Sequence, residues 1–111
     1  MRERLLAAAP GEVHLCAVVK AELLYGARKS ARVDRNLQQL DAFFGMLPSL
    51  PFDDAATGHF GLVRAQLHRS GTAIGPNDLL IASIALANDM TLVTRNDSEF
   101  RRVVGLRVEA W

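Results

Sequence analysis

A chain of 111 residues, half of them apolar and 23% charged, has the composition of one globular domain with one hydrophobic core and excludes an intrinsically disordered chain. Its formal net charge of +1 excludes bulk electrostatics as a route to nucleic acid, so any such site has to come from local clusters. The single cysteine, Cys16, excludes an internal disulfide, and no apolar run reaches the length of a membrane span; the expectation is a cytosolic protein without a signal peptide.

In chain order, residues 5–9 read as the end of a short helix stopped by Pro10-Gly11. Residues 13–19 form a valine-rich apolar run, expected as a buried strand. Helical spacing follows over residues 20–30, where Ala21, Leu24 and Tyr25 recur and Arg28 and Lys29 fall in the last turn, favourably for the helix dipole. Residues 32–44 predict a second helix with Val33, Leu37, Leu40 and Phe44 on one stripe. Two prolines within residues 47–52 allow at most a short edge strand. Asp53 opens the clearest helix, with Ala56, Phe60, Val63 and Leu67 on its buried stripe and Gly71 at its end. Pro76 suits a first helical position, and residues 79–87 are apolar on nearly every face, as in a helix buried on most sides. Short elements follow: a strand at residues 91–94, a helical turn at 98–103 and a last strand at 106–108. Strands separated by helices predict an α/β/α sandwich around a parallel sheet.

Acidic residues stand out against these apolar surroundings. Glu22 follows the first apolar run, Asp78 heads the most apolar helix, and Asp97 and Glu99 come just after the strand that ends in Thr94. Strand ends and helix starts are where open parallel sheets gather ligands. Carboxylates brought together there repel unless a cation joins them, and hard oxygen donors suit magnesium or manganese, which activate water for phosphodiester cleavage. Each acid also has a bland explanation. Asp78 in a first turn complements the dipole, Glu22 could face solvent, Asp97 is a common turn residue and Glu99 a common exposed one. The three histidines (His14, His59 and His68) lack metal-ligand spacing, and Cys16 fits a small core residue better than a nucleophile. Arg28, Lys29, Arg32, Arg35, Arg95, Arg101 and Arg102 could line an RNA path or simply be solvated helix faces.

Three segments carry a family resemblance. Cys-Ala-Val-Val-Lys-Ala-Glu-Leu-Leu-Tyr-Gly-Ala (residues 16–27) resembles the second acidic motif of VapC-type PIN domains. Gly-Pro-Asn-Asp-Leu-Leu-Ile-Ala (residues 75–82) is similar to the third. Leu-Val-Thr-Arg-Asn-Asp-Ser-Glu-Phe (residues 92–100), followed by Val-Gly-Leu-Arg-Val-Glu-Ala-Trp, looks like the family's ending. The order and spacing match across the chain. The resemblance implies a PIN-like α/β/α sandwich and a metal-dependent endoribonuclease toxin, using Mg2+ or Mn2+, cutting single-stranded or looped RNA and held inactive by an antitoxin. It further implies a homodimer. It assigns Glu22 as the second acid, Asp78 as the third and a direct metal ligand, and Glu99 as the fourth with Asp97 the alternative. Thr94 and Asn96 would stand at the site's edge as hydrogen-bonding or substrate-positioning groups.

Two departures accompany the match. The family's first acid, on a central opening strand, has no counterpart here, since nothing before Arg2 supplies it. Residues 1–111 are therefore expected to form a single PIN-like domain lacking its first strand. Its central slot should be empty, its stability marginal or dependent on a borrowed strand, and its RNA cleavage weak or absent; the reading frame either starts upstream or belongs to a decayed copy. Second, Val19 stands where the family commonly has a hydroxyl residue that caps the next helix. The rival to the enzyme is thus a catalytically impaired relic that acts only as an antitoxin- or protomer-binding module. A third reading is a related nuclease acting on DNA or structured RNA.

Overall fold

A computed structural model describes residues 5–7, 13–95 and 97–110, with only the backbone of residues 5–7 and 13. Five strands form one sheet in the order β3-β2-β1-β4-β5, with β1 at Leu5–Ala7, β2 at Val13–Cys16, β3 at Ser49–Leu50, β4 at Thr91–Val93 and β5 at Val108–Glu109. The helices are α1 (Ala17–Arg28), α2 (Val33–Phe44), α3 (Asp54–Ser70), α4 (Pro76–Ala87) and α5 (Asp97–Phe100).

The central position of the sheet corrects two expectations. Residues 5–7 are a strand, not the end of a helix, and they occupy the slot expected to be empty, paired to β2 on one side and β4 on the other. Both pairings are antiparallel, whereas β2 with β3 and β4 with β5 are parallel. Four strands thus share one direction and β1 alone runs against them. Chain length explains the reversal. Only residues 8–12 separate β1 from β2, enough for a hairpin, whereas a parallel neighbour needs a crossover of about a dozen residues or more. Leu6 sits opposite both His14 and Leu92, so this short segment joins two halves of the sheet that would otherwise expose unpaired backbone.

The helices follow their predicted spacing, with shifts at the ends. α1 begins at Ala17, directly after Cys16 at its N-cap, so Val19 lies inside the first turn, 3% exposed, and is not a capping position. α3 is bounded as its sequence dictates. Asp53 accepts a hydrogen bond from the Ala56 N–H at 3.1 Å, and Gly71 closes the helix with a φ of 69°, a left-handed conformation that favours glycine. α4 starts at Pro76 and buries Leu79, Ile81, Ala82, Ile84 and Ala85. It packs against α1, α3 and β4, which is why its sequence is apolar all round. The core is completed by Leu15, Leu92, Phe100 and Val103. Ser83, fully buried, donates to the Leu79 carbonyl at 2.7 Å, which removes the penalty of a buried hydroxyl. By contrast, α2 has no fully buried residue and rests Leu40, Phe43 and Phe44 on the core's edge. The last strand starts two residues later than its apolar run suggested, at Val108. Among the described residues no helix is long and apolar enough to cross a membrane.

Candidate active site

The carboxyl ends of β2 and β4 open on the same edge of the sheet, because these strands are parallel to each other across β1. β2 leads straight into α1, which carries Glu22. β4 leads into Thr94 and then α5, which carries Asp97 and Glu99. A tertiary hydrogen bond ties the head of α4 to this edge: the Gly75 N–H donates to Glu99 Oε1 at 2.6 Å. Gly75 is the N-cap of α4, with Asp78 in the first turn. Glu99 is thereby attached to the N-cap of the helix that carries Asp78 in its first turn.

Asp78 is 7% exposed at the head of the most apolar helix in the chain. A carboxylate so placed requires polar or cationic company to stay ionised, and the N-terminal end of a 12-residue helix supplies a favourable dipole. Glu22 is exposed on α1, beside the buried Leu23, and α1 packs on α4, which sets the two acid-bearing helices side by side. Thr94 is 1% exposed and its N–H donates to the Glu109 carbonyl at 3.0 Å, extending the β4–β5 ladder by one residue. Asn96 lies outside the described residues. Among the described residues, no group of three His, Cys, Asp or Glu side chains is arranged to hold a metal ion.

Asp97 and Glu99, the two alternatives for the fourth acid, face different partners. Asp97 Oδ2 accepts from Arg101 Nε at 2.8 Å, one helical turn on. That hydrogen bond holds the Asp97 carboxyl below the ordinary aspartate range. A depressed pKa contributes stability that is present above the unfolded-state value and lost as pH falls through the folded-state one; for so exposed a pair the contribution is small. In a carboxylate NMR titration, Asp97 should have its midpoint below that measured in an Arg101→Gln variant. Equal midpoints in the two proteins would show that the pair does not persist in solution.

Other charged and nucleophilic groups stand apart. Cys16 is fully buried in the core. The His14 Nδ1 atom is buried without a hydrogen-bond partner among the described residues, in β2 and away from the carboxyl edge. Arg102 donates to the Ala73 carbonyl at 3.2 Å, so this arginine is attached to the loop before α4 rather than free along a groove. Nothing local in the sequence foretold that bond or the one between Gly75 and Glu99, because each spans more than twenty residues.

A family model described as the PIN domain matches residues 2–106. Over 101 residues the chain is 42% identical to the tRNA(fMet)-specific endonuclease VapC of Shigella flexneri, covering 91% of this chain and 76% of that one. This chain belongs to the VapC-type PIN-domain family. It is also 41% identical over 99 residues to Ribonuclease VapC2 of Rickettsia felis, spanning 89% of this chain and 74% of that one. Among solved structures, the PIN fold is matched by VapBC2 from Rickettsia felis bound to a DNA fragment from its promoter, with a TM-score of 0.84 and 42% identity over 88% of this chain and 74% of that one. DNA-bound VapBC from Salmonella typhimurium superposes with a TM-score of 0.83 at 41% identity, over 86% of this chain and 73% of that one. The α/β PIN fold expected from the sequence is thereby borne out, with its central position filled by β1.

Proposed function

We propose that this PIN domain is a divalent-metal-dependent endoribonuclease, the toxin of a toxin–antitoxin pair. The observation that carries the reading is Asp78, a buried carboxylate at the head of α4, in a chain 42% identical to a tRNA(fMet)-specific endonuclease. Magnesium keeps several waters and takes one or two protein carboxylates, so hard oxygen donors at this helix head fit such an ion without a closed cage. Asp78 and Glu99 would hold it together with Glu22, while Asp97 is engaged by Arg101. The bound ion would supply Lewis-acid activation of water and neutralise charge on the phosphate. The chain's own residues do the rest. Glu99 anchors the N-cap of α4 through Gly75, which fixes the turn that presents Asp78, and the N–H groups of that first turn favour an anionic phosphate. Thr94 and Asn96, just before α5 in the chain, would serve as substrate-positioning groups.

The partner would be an antitoxin protein, in keeping with the VapBC complexes that this chain resembles, and a second copy of the chain would complete the toxin. The competing reading, a binding module without catalysis, draws on the lack of a three-group metal set among the described residues. One assay separates the two. Incubated with single-stranded and stem-loop RNA, the chain, which lacks the family's first acid, should yield discrete fragments slowly in magnesium or manganese and none in EDTA. Intact RNA in every metal, from a protein that still binds a cognate antitoxin, would leave only the binding module.

A further inference from the structure

Beside the head of α4 lies a cavity of about 340 Å3, just above the roughly 300 Å3 at which small-molecule sites begin. Its walls are apolar, formed by Phe60 and Leu67 of α3, Ile74 of the connecting loop, and Pro76 and Leu79 of α4. Its rim carries the Arg64 guanidinium, and His68, one helical turn further along α3, lines it too. No acidic side chain lines it among the described residues.

The aromatic wall has a defined geometry. Phe60 stands edge-on to Phe52, with ring centroids 6.0 Å apart and planes at 83°, so Phe52 braces the ring from the side. The Arg64 guanidinium carbon is 5.9 Å from the Phe60 centroid. A flat π-faced ligand with an attached anion matches this arrangement, because it stacks on the ring while its charge meets Arg64. Pro76 and Leu79, which line the cavity, belong to the same first turn of α4 as Asp78.

We infer that this cavity receives one unpaired nucleobase of an RNA strand, with Phe60 and Arg64 as the stacking pair. The inference rests on the nuclease reading and adds to it a substrate-positioning pocket. It gives a role to the exposed part of Phe60, which packs against the core yet stays partly exposed while Ala56, Val63 and Leu67 on the same stripe are buried.

The test measures binding without cleavage. Fluorescence anisotropy of a labelled single-stranded oligoribonucleotide in EDTA is compared for the wild-type chain, Phe60→Leu and Arg64→Gln, with the fold of each checked by circular dichroism. Base–aromatic stacking makes a loss of about five- to tenfold in affinity the expected result for Phe60→Leu. Arg64→Gln, an exposed change that leaves the core untouched, should lose a similar factor. Replacing nucleotides one at a time by abasic ones should reveal one position that weakens wild-type binding but not binding by Phe60→Leu. Wild-type affinity in both variants, with every abasic position costing the same in all three proteins, would overturn the pocket while leaving RNA binding in place. Loss of self-association in sedimentation velocity with unchanged RNA affinity would overturn it too, assigning the face to a second copy of the chain. Folded protein that binds no RNA at all would remove the nuclease reading and the pocket with it.

Discussion

Asp78→Asn should reduce RNA cleavage in magnesium by at least about 100-fold, since even indirect supports of metal ligands commonly cost 10- to 100-fold. The change keeps the shape of the side chain and removes its charge. In a helix buried on most sides, with Asp78 itself 7% exposed, the amide also avoids the cost of burying an anion. Thermal stability should therefore stay level or rise while activity falls. That opposition of signs separates a functional acid from a structural one. A dipole-stabilising Asp78 without function would give a lower melting temperature and unchanged cleavage. Cleavage within twofold of wild type in the Asn variant would remove Asp78 from the site, and the metal with it.

Leu6→Pro should destabilise the domain by about 1–3 kcal/mol or more, through a buried backbone acceptor left without its donor. Leu6 is the middle residue of β1 and lies opposite His14 on one side and Leu92 on the other. In a central strand every N–H points at a neighbour, so proline at this position breaks the ladder wherever it faces. For a domain of this size about 1 kcal/mol shifts the melting temperature by several degrees, enough to read in a thermal scan. The weakened seam between β2 and β4 would expose strand edges, and the variant should associate with itself more as concentration rises. If Leu6→Pro melts with the wild type at all concentrations, β1 is not the strand that closes the sheet.

Much of the fold was legible because its causes are local. Asp53 and Gly71 bound α3 through a side-chain cap and a left-handed turn, and Pro76 opens α4 because its missing N–H costs nothing at a first position. The unbroken apolar run behind Asp78 could only be a buried helix. The pairing of Asp97 with Arg101 at i, i+4 is likewise inherent in the spacing, and the order of three motifs sufficed to indicate the family. What the sequence could not decide depended on which segments meet. Residues 5–7 have no strand pattern of their own; they become β1 because two parallel neighbours leave a slot that a short hairpin reaches only in the antiparallel sense. Position 19, where the resemblance implied a capping residue, lies inside the helix because the short β2 lets α1 begin at Ala17. Glu99 read as one more acid, and only the tertiary structure joins it to Gly75 across more than twenty residues, making it a tie between the head of α4 and the sheet's carboxyl edge. Local rules fix where each helix starts and which face it buries. The meeting of α3, α4 and α5 around one turn is set by packing alone, because no propensity or periodicity encodes a contact between segments so far apart in the chain.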